Sequence, residues 1–416
     1  METFKKLFSS RTVVDVMKDH IGKIVEGSGF YARLYPCQTE DGHVLNLFRL
    51  VPGDDPNQPV DPKQTKSTKK IVFQNIGKGR PVLLQHGLID SSDSWVLNNH
   101  EASPGYYLAT LGFDVWLGNN RGNKYCKWHS NEKLPKEQFW DFSFQQMGRY
   151  DIPAMIKLIL KETGKPKLSY IGHSQGTAQM FAALSMPETT AFVNKSVDIF
   201  LALAPVVYLA NHDNALLNKM CDSNLETYAK KVGLYEMLPG NQNSVESSIG
   251  AAIQSGFIQM FPALSNKVYE LSDADPAYNN HHRFSLFVKH HPAGSSLRCF
   301  EHFKQMIMQS KENPGFPMFD YGPERNAQEY QGSPKPPMFN LANINIPVRG
   351  FVGAQDKLST PADNALLKKT LQIELKKDYD MYLFDQCGHL TFMWGREVAN
   401  ILEQIKSDLL SVEQQA

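Results

Sequence analysis

The spacing of hydrophobic positions changes several times along the chain. Val13, Val14, Met17, Ile21, Ile24 and Val25 recur at helical intervals and predict a helix over 13–25 docked on its own domain. QTEDGHVLNLFRLVPG reads as a hairpin, with a turn at Asp41-Gly42 and an alternating strand through Val44, Leu45, Leu47 and Leu50. Residues 52–70 are polar and proline-bearing, and predict a solvent loop. Short apolar runs then alternate with helical periods. PVLLQHG is a buried strand, YYLATLG a helix and FDVWLGNN a strand. RYDIPAMIKLILKETG is a helix with Ile152, Met155, Ile156, Ile159 and Leu160 on its core face, ended by Gly164. LSYIGHSQG runs from a strand into a turn, TAQMFAALSM is the helix after it, and VDIFLALAP is another strand. Such strands belong to a parallel sheet covered on both faces.

From about residue 206 to 345 this alternation stops. The stretch is richer in Asn, Ser, Pro and Met, with aromatics and helical patches such as IGAAIQSGFIQMF. Order resumes with the strand INIPVRGFVGAQD, a helix near PADNALLKKTL, the strand DYDMYLFDQCGH and the closing helix REVANILEQIKSDLLSV. The predicted organisation is therefore a core begun by 1–205, with the N-terminal helix and hairpin, and completed by 346–416. Residues 206–345 form an inserted, mainly helical cap over the strand ends, where ligands of open parallel sheets bind.

Composition sharpens the picture mainly by exclusion. Lysine plus arginine equals aspartate plus glutamate at 43 each, and no basic tract with interleaved aromatics occurs, so nucleic acid is not an expected partner. Lys5, Lys6 and Arg11 interrupt any apolar stretch long enough for a secretory signal, and no run long enough to span a bilayer appears. Residues 1–11, with three basic residues and two serines against Glu2, also fit a mitochondrial presequence; the helical spacing of 13–25 favours the docked helix. Five scattered cysteines (37, 126, 221, 299 and 387) suit free thiols in a reducing compartment, hence an intracellular protein, cytoplasmic or organellar. They offer no metal-ligand spacing, and neither metal nor cofactor is expected.

The chemistry lies in Gly172-His173-Ser174-Gln175-Gly176, a G-x-S-x-G sequence between a predicted strand and a predicted helix. A serine hydroxyl is a weak nucleophile and needs presentation on a sharp turn beside a base. Alone the motif arises by chance; its strand-turn-helix setting makes it the nucleophile elbow of an α/β-hydrolase fold. That fold supplies its acid and base later in the chain, each after a strand. Asp356 follows the strand PVRGFVG, and His389 sits between the last strand and the last helix. Asp363, at a helix start, and Asp385, at a strand end, compete for the acid position but read better as cap or surface carboxylates. Asp356 would fix the imidazole tautomer while His389 takes the Ser174 proton. The oxyanion donors would be the backbone N–H groups of Gln175 and Leu88, with His86 and Gly87 shaping the turn before Leu88.

EDGHVL, LLQHGLIDSSDSW, DVWLGNNRGN, YDIPAMIKLIL, YIGHSQGT, ALAPVV, HHPAGSS and GHLTFMWG, in that order, give the chain a resemblance to the acid lipase family, which includes gastric and lysosomal acid lipases. The resemblance runs from about residue 12 to 410. It implies an α/β-hydrolase with a lid-bearing cap acting on triacylglycerols or steryl esters, with Ser174 as nucleophile, Asp356 as acid, His389 as base, and Leu88 and Gln175 as oxyanion donors. The chain departs from the family in lacking a secretory signal and paired cap cysteines. Thr391 also stands where the family usually has an aspartate, and the acid loop reads GAQDKLS. The expected function is hydrolysis of lipid carboxylic esters, with peripheral contact to a membrane or lipid droplet through the cap. The rival is a hydrolase-fold protein serving as a non-catalytic subunit of a larger assembly. Acyl transfer to an alcohol would use the same residues.

Overall fold

A computed structural model describes residues 21–53, 74–214, 218, 221–222, 225–240, 269–310 and 312–412. Of the helix expected over 13–25, the described part is Ile21–Val25 (α1), with Ile21 and Val25 buried. Residues 1–20, the loop from 54 to 73 and the helical patch 249–261 lie outside the described residues.

The strands are β1 (Phe30–Gln38), β2 (His43–Pro52), β3 (Pro81–Gln85), β4 (Asp114–Leu117), β5 (Trp128–His129), β6 (Leu168–His173), β7 (Val197–Leu203), β8 (Glu236–Met237), β9 (Ser295–Ser296), β10 (Val348–Gly353) and β11 (Tyr379–Phe384). Among the described residues the main sheet has the order β1-β2-β4-β3-β6-β7-β10-β11, with β5 beside β2. The first hairpin pairs antiparallel, and from β4 to β11 every pairing is parallel. β3 and β6 are buried at every position, as apolar runs of a covered parallel sheet must be. Between β7 and β10 the described chain adds nothing to this sheet; β8 and β9 pair with each other instead.

Helices pack around the sheet. α2 (Pro104–Thr110) lies against α9 (Ala399–Ser411), while α3 (Ile152–Thr163), α4 (Gln175–Ser185) and α5 (Pro187–Ser196) form another group. α6 (Phe284–His290) and α7 (Leu297–Ser310) precede β10, and α8 (Pro361–Lys368) follows it. Gly164 caps α3 in the left-handed conformation at φ 67°. β2 departs from its expected alternation, since His43 to Phe48 are all buried. The face bearing Asn46 and Phe48 is covered by Tyr125, whose carbonyl accepts from Asn46 Nδ2 at 2.6 Å and whose ring meets Phe48 edge-on. Buried Arg121 ties the hairpin turn to α3, reaching Asp41 and Asp151 at 2.6 Å each.

Candidate active site

Ser174 sits between the end of β6 and the start of α4 with φ 53° and ψ −119°. A non-glycine residue there costs about 1–3 kcal/mol and persists only where its surroundings over-determine it. They do so here. A Cβ on Gly172 would lie 2.6 Å from the Gly176 carbonyl oxygen, and one on Gly176 would lie 2.4 Å from that of Gln85, so only glycines allow α4 to rise so close to the sheet. Ser174 N–H donates to Leu203 O at 3.0 Å, and Thr177 Oγ1 donates to Ser174 O at 2.7 Å. The hydroxyl is thereby held off the sheet's carboxyl edge in a half-buried position.

His389 and Asp356 follow β11 and β10, in the order the sequence predicts. His389 Nε2 is 2.9 Å from Ser174 Oγ, and His389 Nδ1 is 2.9 Å from Asp356 Oδ2. The other oxygen of Asp356 accepts from Leu358 and Ser359 N–H at 2.8 Å each, so the carboxylate cannot turn away. An ionised carboxylate only accepts, which puts the imidazole proton on Nδ1 and leaves Nε2 free to receive the serine proton. Burial by itself would make the imidazole harder to protonate, but the charge and hydrogen bond of Asp356, with a contribution from Asp273, outweigh it and raise its pKa above the ordinary histidine value. The competing carboxylates are elsewhere. Asp363 is buried rather than superficial, gripping the amides of Ala210 and Asn211, while Asp385 is exposed after β11.

The loop after β3 approaches the same hydroxyl. A Cβ on Gly87 would lie 3.2 Å from Ser174 Cβ, which brings the half-buried Leu88 alongside. Ile89 has φ 55°, costly for a β-branched side chain and so a mark of a loop held in place. Its carbonyl accepts Ala293 N–H at 2.7 Å. His86 anchors this loop: Nδ1 meets Gly87 O at 2.8 Å, and Nε2 accepts from Asn120 N–H at 3.1 Å. Burial lowers its pKa and keeps the ring neutral, as its acceptor role requires. Gln175 N–H heads α4, where first-turn amides have no carbonyl partner within the helix. Among the described residues no group of three side chains suited to a metal ion gathers.

Two family models match: a partial alpha/beta-hydrolase lipase region over residues 21–99, and the alpha/beta hydrolase fold over 80–220. Gastric triacylglycerol lipase of Rattus norvegicus is 31% identical over 91% of this chain and 88% of its own length. The chain belongs to the acid lipase family. Gastric triacylglycerol lipase of Bos taurus is 29% identical over 94% of the chain and 90% of the relative, and lysosomal acid lipase/cholesteryl ester hydrolase of Homo sapiens 30% over 90% and 86%.

Around this family member's His389 stand residues to which the sequence analysis assigned no role at the site. His173, the variable position of the G-x-S-x-G motif, has Nε2 2.9 Å from the His389 carbonyl oxygen. Burial, helped by the nearby His389, lowers its pKa to about 3, so it stays neutral and holds the loop through Nε2–H. Thr391, in the place where the resemblance calls for an aspartate, donates to Asn279 Oδ1 at 3.1 Å and accepts Gly388 N–H at 2.9 Å. Asn279 in turn donates to Asp273 Oδ2 at 2.5 Å. His173 was visible within its motif. Asp273 and Asn279 carry no local signal, because the contacts that bring them to the His389 turn are with Leu390 and Thr391, more than a hundred positions later.

Proposed function

We propose that the chain is a serine hydrolase cleaving carboxylic esters of lipids through an acyl group carried on Ser174. The observation that carries this reading is the unbroken relay from Ser174 Oγ through the His389 ring to Asp356, 2.9 Å at each link. In the reaction, Ser174 Oγ attacks the ester carbonyl as its proton passes to His389 Nε2. Leu88 and Gln175 N–H receive the oxyanion, and the imidazolium protonates the departing alcohol. Water, activated by the same imidazole, then releases the fatty acid. The relatives are named for triacylglycerol and for cholesteryl ester, and the element common to both is a lipid carboxylic ester. A purely structural role gives no reason to maintain a strained serine against an imidazole that a buried carboxylate orients.

Residues 206–345 would serve as the cap. Within it Tyr228, Val232, Leu234 and Leu238 are 68%, 79%, 46% and 44% exposed, a run of apolar side chains suited to a lipid surface. Cys37, Cys126, Cys299 and Cys387 are free thiols, which supports a reducing, intracellular setting. The test compares wild type with Ser174→Ala on esters of graded chain length and with a fluorophosphonate probe. Turnover should fall by about 10⁴-fold or more and labelling should vanish while the thermal transition stays in place. Labelling that persists in Ser174→Ala would refute the assignment.

A further inference from the structure

Asp273 is fully buried on a segment that precedes α6 and touches both loops of the reacting set. Its backbone forms an antiparallel bridge with Asp356, with Ala274 N–H on Gln355 O at 2.7 Å and Lys357 N–H on Ser272 O at 2.9 Å. Its side chain reaches the turn that bears the base. Oδ1 accepts Leu390 N–H at 3.1 Å, and Oδ2 is held by Asn279, which also takes the Thr391 hydroxyl. On the other side of His389, a Cβ on Gly388 would lie 2.5 Å from the Asp273 carboxyl carbon, so the turn is moulded against this group.

We infer that Asp273 is a positioning residue of the active site: it locks the 388–391 turn onto the acid loop and sets a second buried carboxylate beside the imidazole, so that its ionisation governs the pH at which His389 acts as base. The inference rests on the reading of Ser174, Asp356 and His389 as the reacting set. Burial raises the Asp273 pKa to about 6 against the opposing hydrogen bonds from Asn279 and Leu390, and the Asp356 charge adds to the rise. The titratable groups facing it are Asp356, His389, the Cys387 thiol and the Tyr269 hydroxyl. When ionised, Asp273 favours the imidazolium. Once protonated, it withdraws that support, so His389 stays neutral to lower pH than it would beside a fixed charge.

The experiment measures the rate of fluorophosphonate labelling from pH 4 to 9 for the full chain and for Asp273→Asn, with Ser174→Ala as blank and thermal unfolding in parallel. The amide still accepts from Leu390 N–H, and a flip of Asn279 restores the second bond. Loss of the charge should move the acid limb down by about 0.5–1 pH unit, the scale expected of a neighbouring charge, with a lower plateau because the imidazolium is less supported. A limb at the wild-type pH, whatever the plateau or melting temperature, overturns the inference. Should Asp273→Asn fail to fold, Asp273→Ser removes the same charge and is read the same way. Labelling that persists in Ser174→Ala defeats the active-site reading itself, and this inference with it.

Discussion

At the scale of single residues the site depends on protons being in the right place. His389 must be neutral at Nε2 to accept the serine proton, and the carboxylates near it hold a proton on the ring above the ordinary histidine value. Activity therefore requires deprotonation, and kcat/KM should rise with pH through an apparent pKa above about 6.5. A pH-rate profile on a soluble ester checks this, and an acid limb centred below pH 6 would contradict it. The placement of His389 beside Ser174 was legible in the sequence because the last strand, a histidine and the last helix follow one another. The site's other ionisable partner was not. Asp273 lies in a stretch without periodicity or motif, and its importance comes from tertiary contacts with Leu390 and Asn279.

At the scale of elements, strands and helices were readable wherever a short apolar run was bounded by turn residues, as for β3, β6, β7 and β10. α5 escaped because its pattern is mostly polar, with only Thr189, Val193 and Ser196 buried, and because it follows α4 after a single residue. β2 deceived in the opposite sense, since a loop contributed from Tyr125 covers the face that alternation would have left to water. The turn between β11 and the last helices shows how tightly elements constrain one another. Gly388→Ala needs no unusual backbone, yet its methyl would meet the Asp273 side chain. The expected cost is about 1–3 kcal/mol of stability and a loss in kcat of about tenfold or more, because small displacements of a base are expensive. Adding Asp273→Gly opens the space, so the double variant should be less impaired than the two single effects combined. Melting temperatures and kcat for the four proteins test this; strict additivity would show that the contact is not what limits position 388.

At the scale of the whole molecule, the sheet supplies a rigid edge from which the Ser174, Asp356 and His389 loops project, while Tyr228, Val232, Leu234 and Leu238 present apolar side chains to solvent. If that surface meets lipid, replacing Tyr228 and Val232 by Asp and Glu should weaken binding to lipid emulsions by about tenfold or more, given about 1.5–3 kcal/mol for each large side chain withdrawn from water. Hydrolysis of a soluble short-chain ester should stay within about twofold of wild type, and unchanged emulsion binding would dismiss the surface as a contact. The order of the strands carries one more consequence. Ser174 and His389 stand 215 positions apart, and the histidine follows the edge strand, which among the described residues pairs with β10 alone. A polypeptide still leaving the ribosome can fold its serine turn yet has nothing to take the hydroxyl's proton. On the proposed mechanism chemical competence arrives only when the C-terminal strand docks, so any product broken off upstream of that histidine would be born inert.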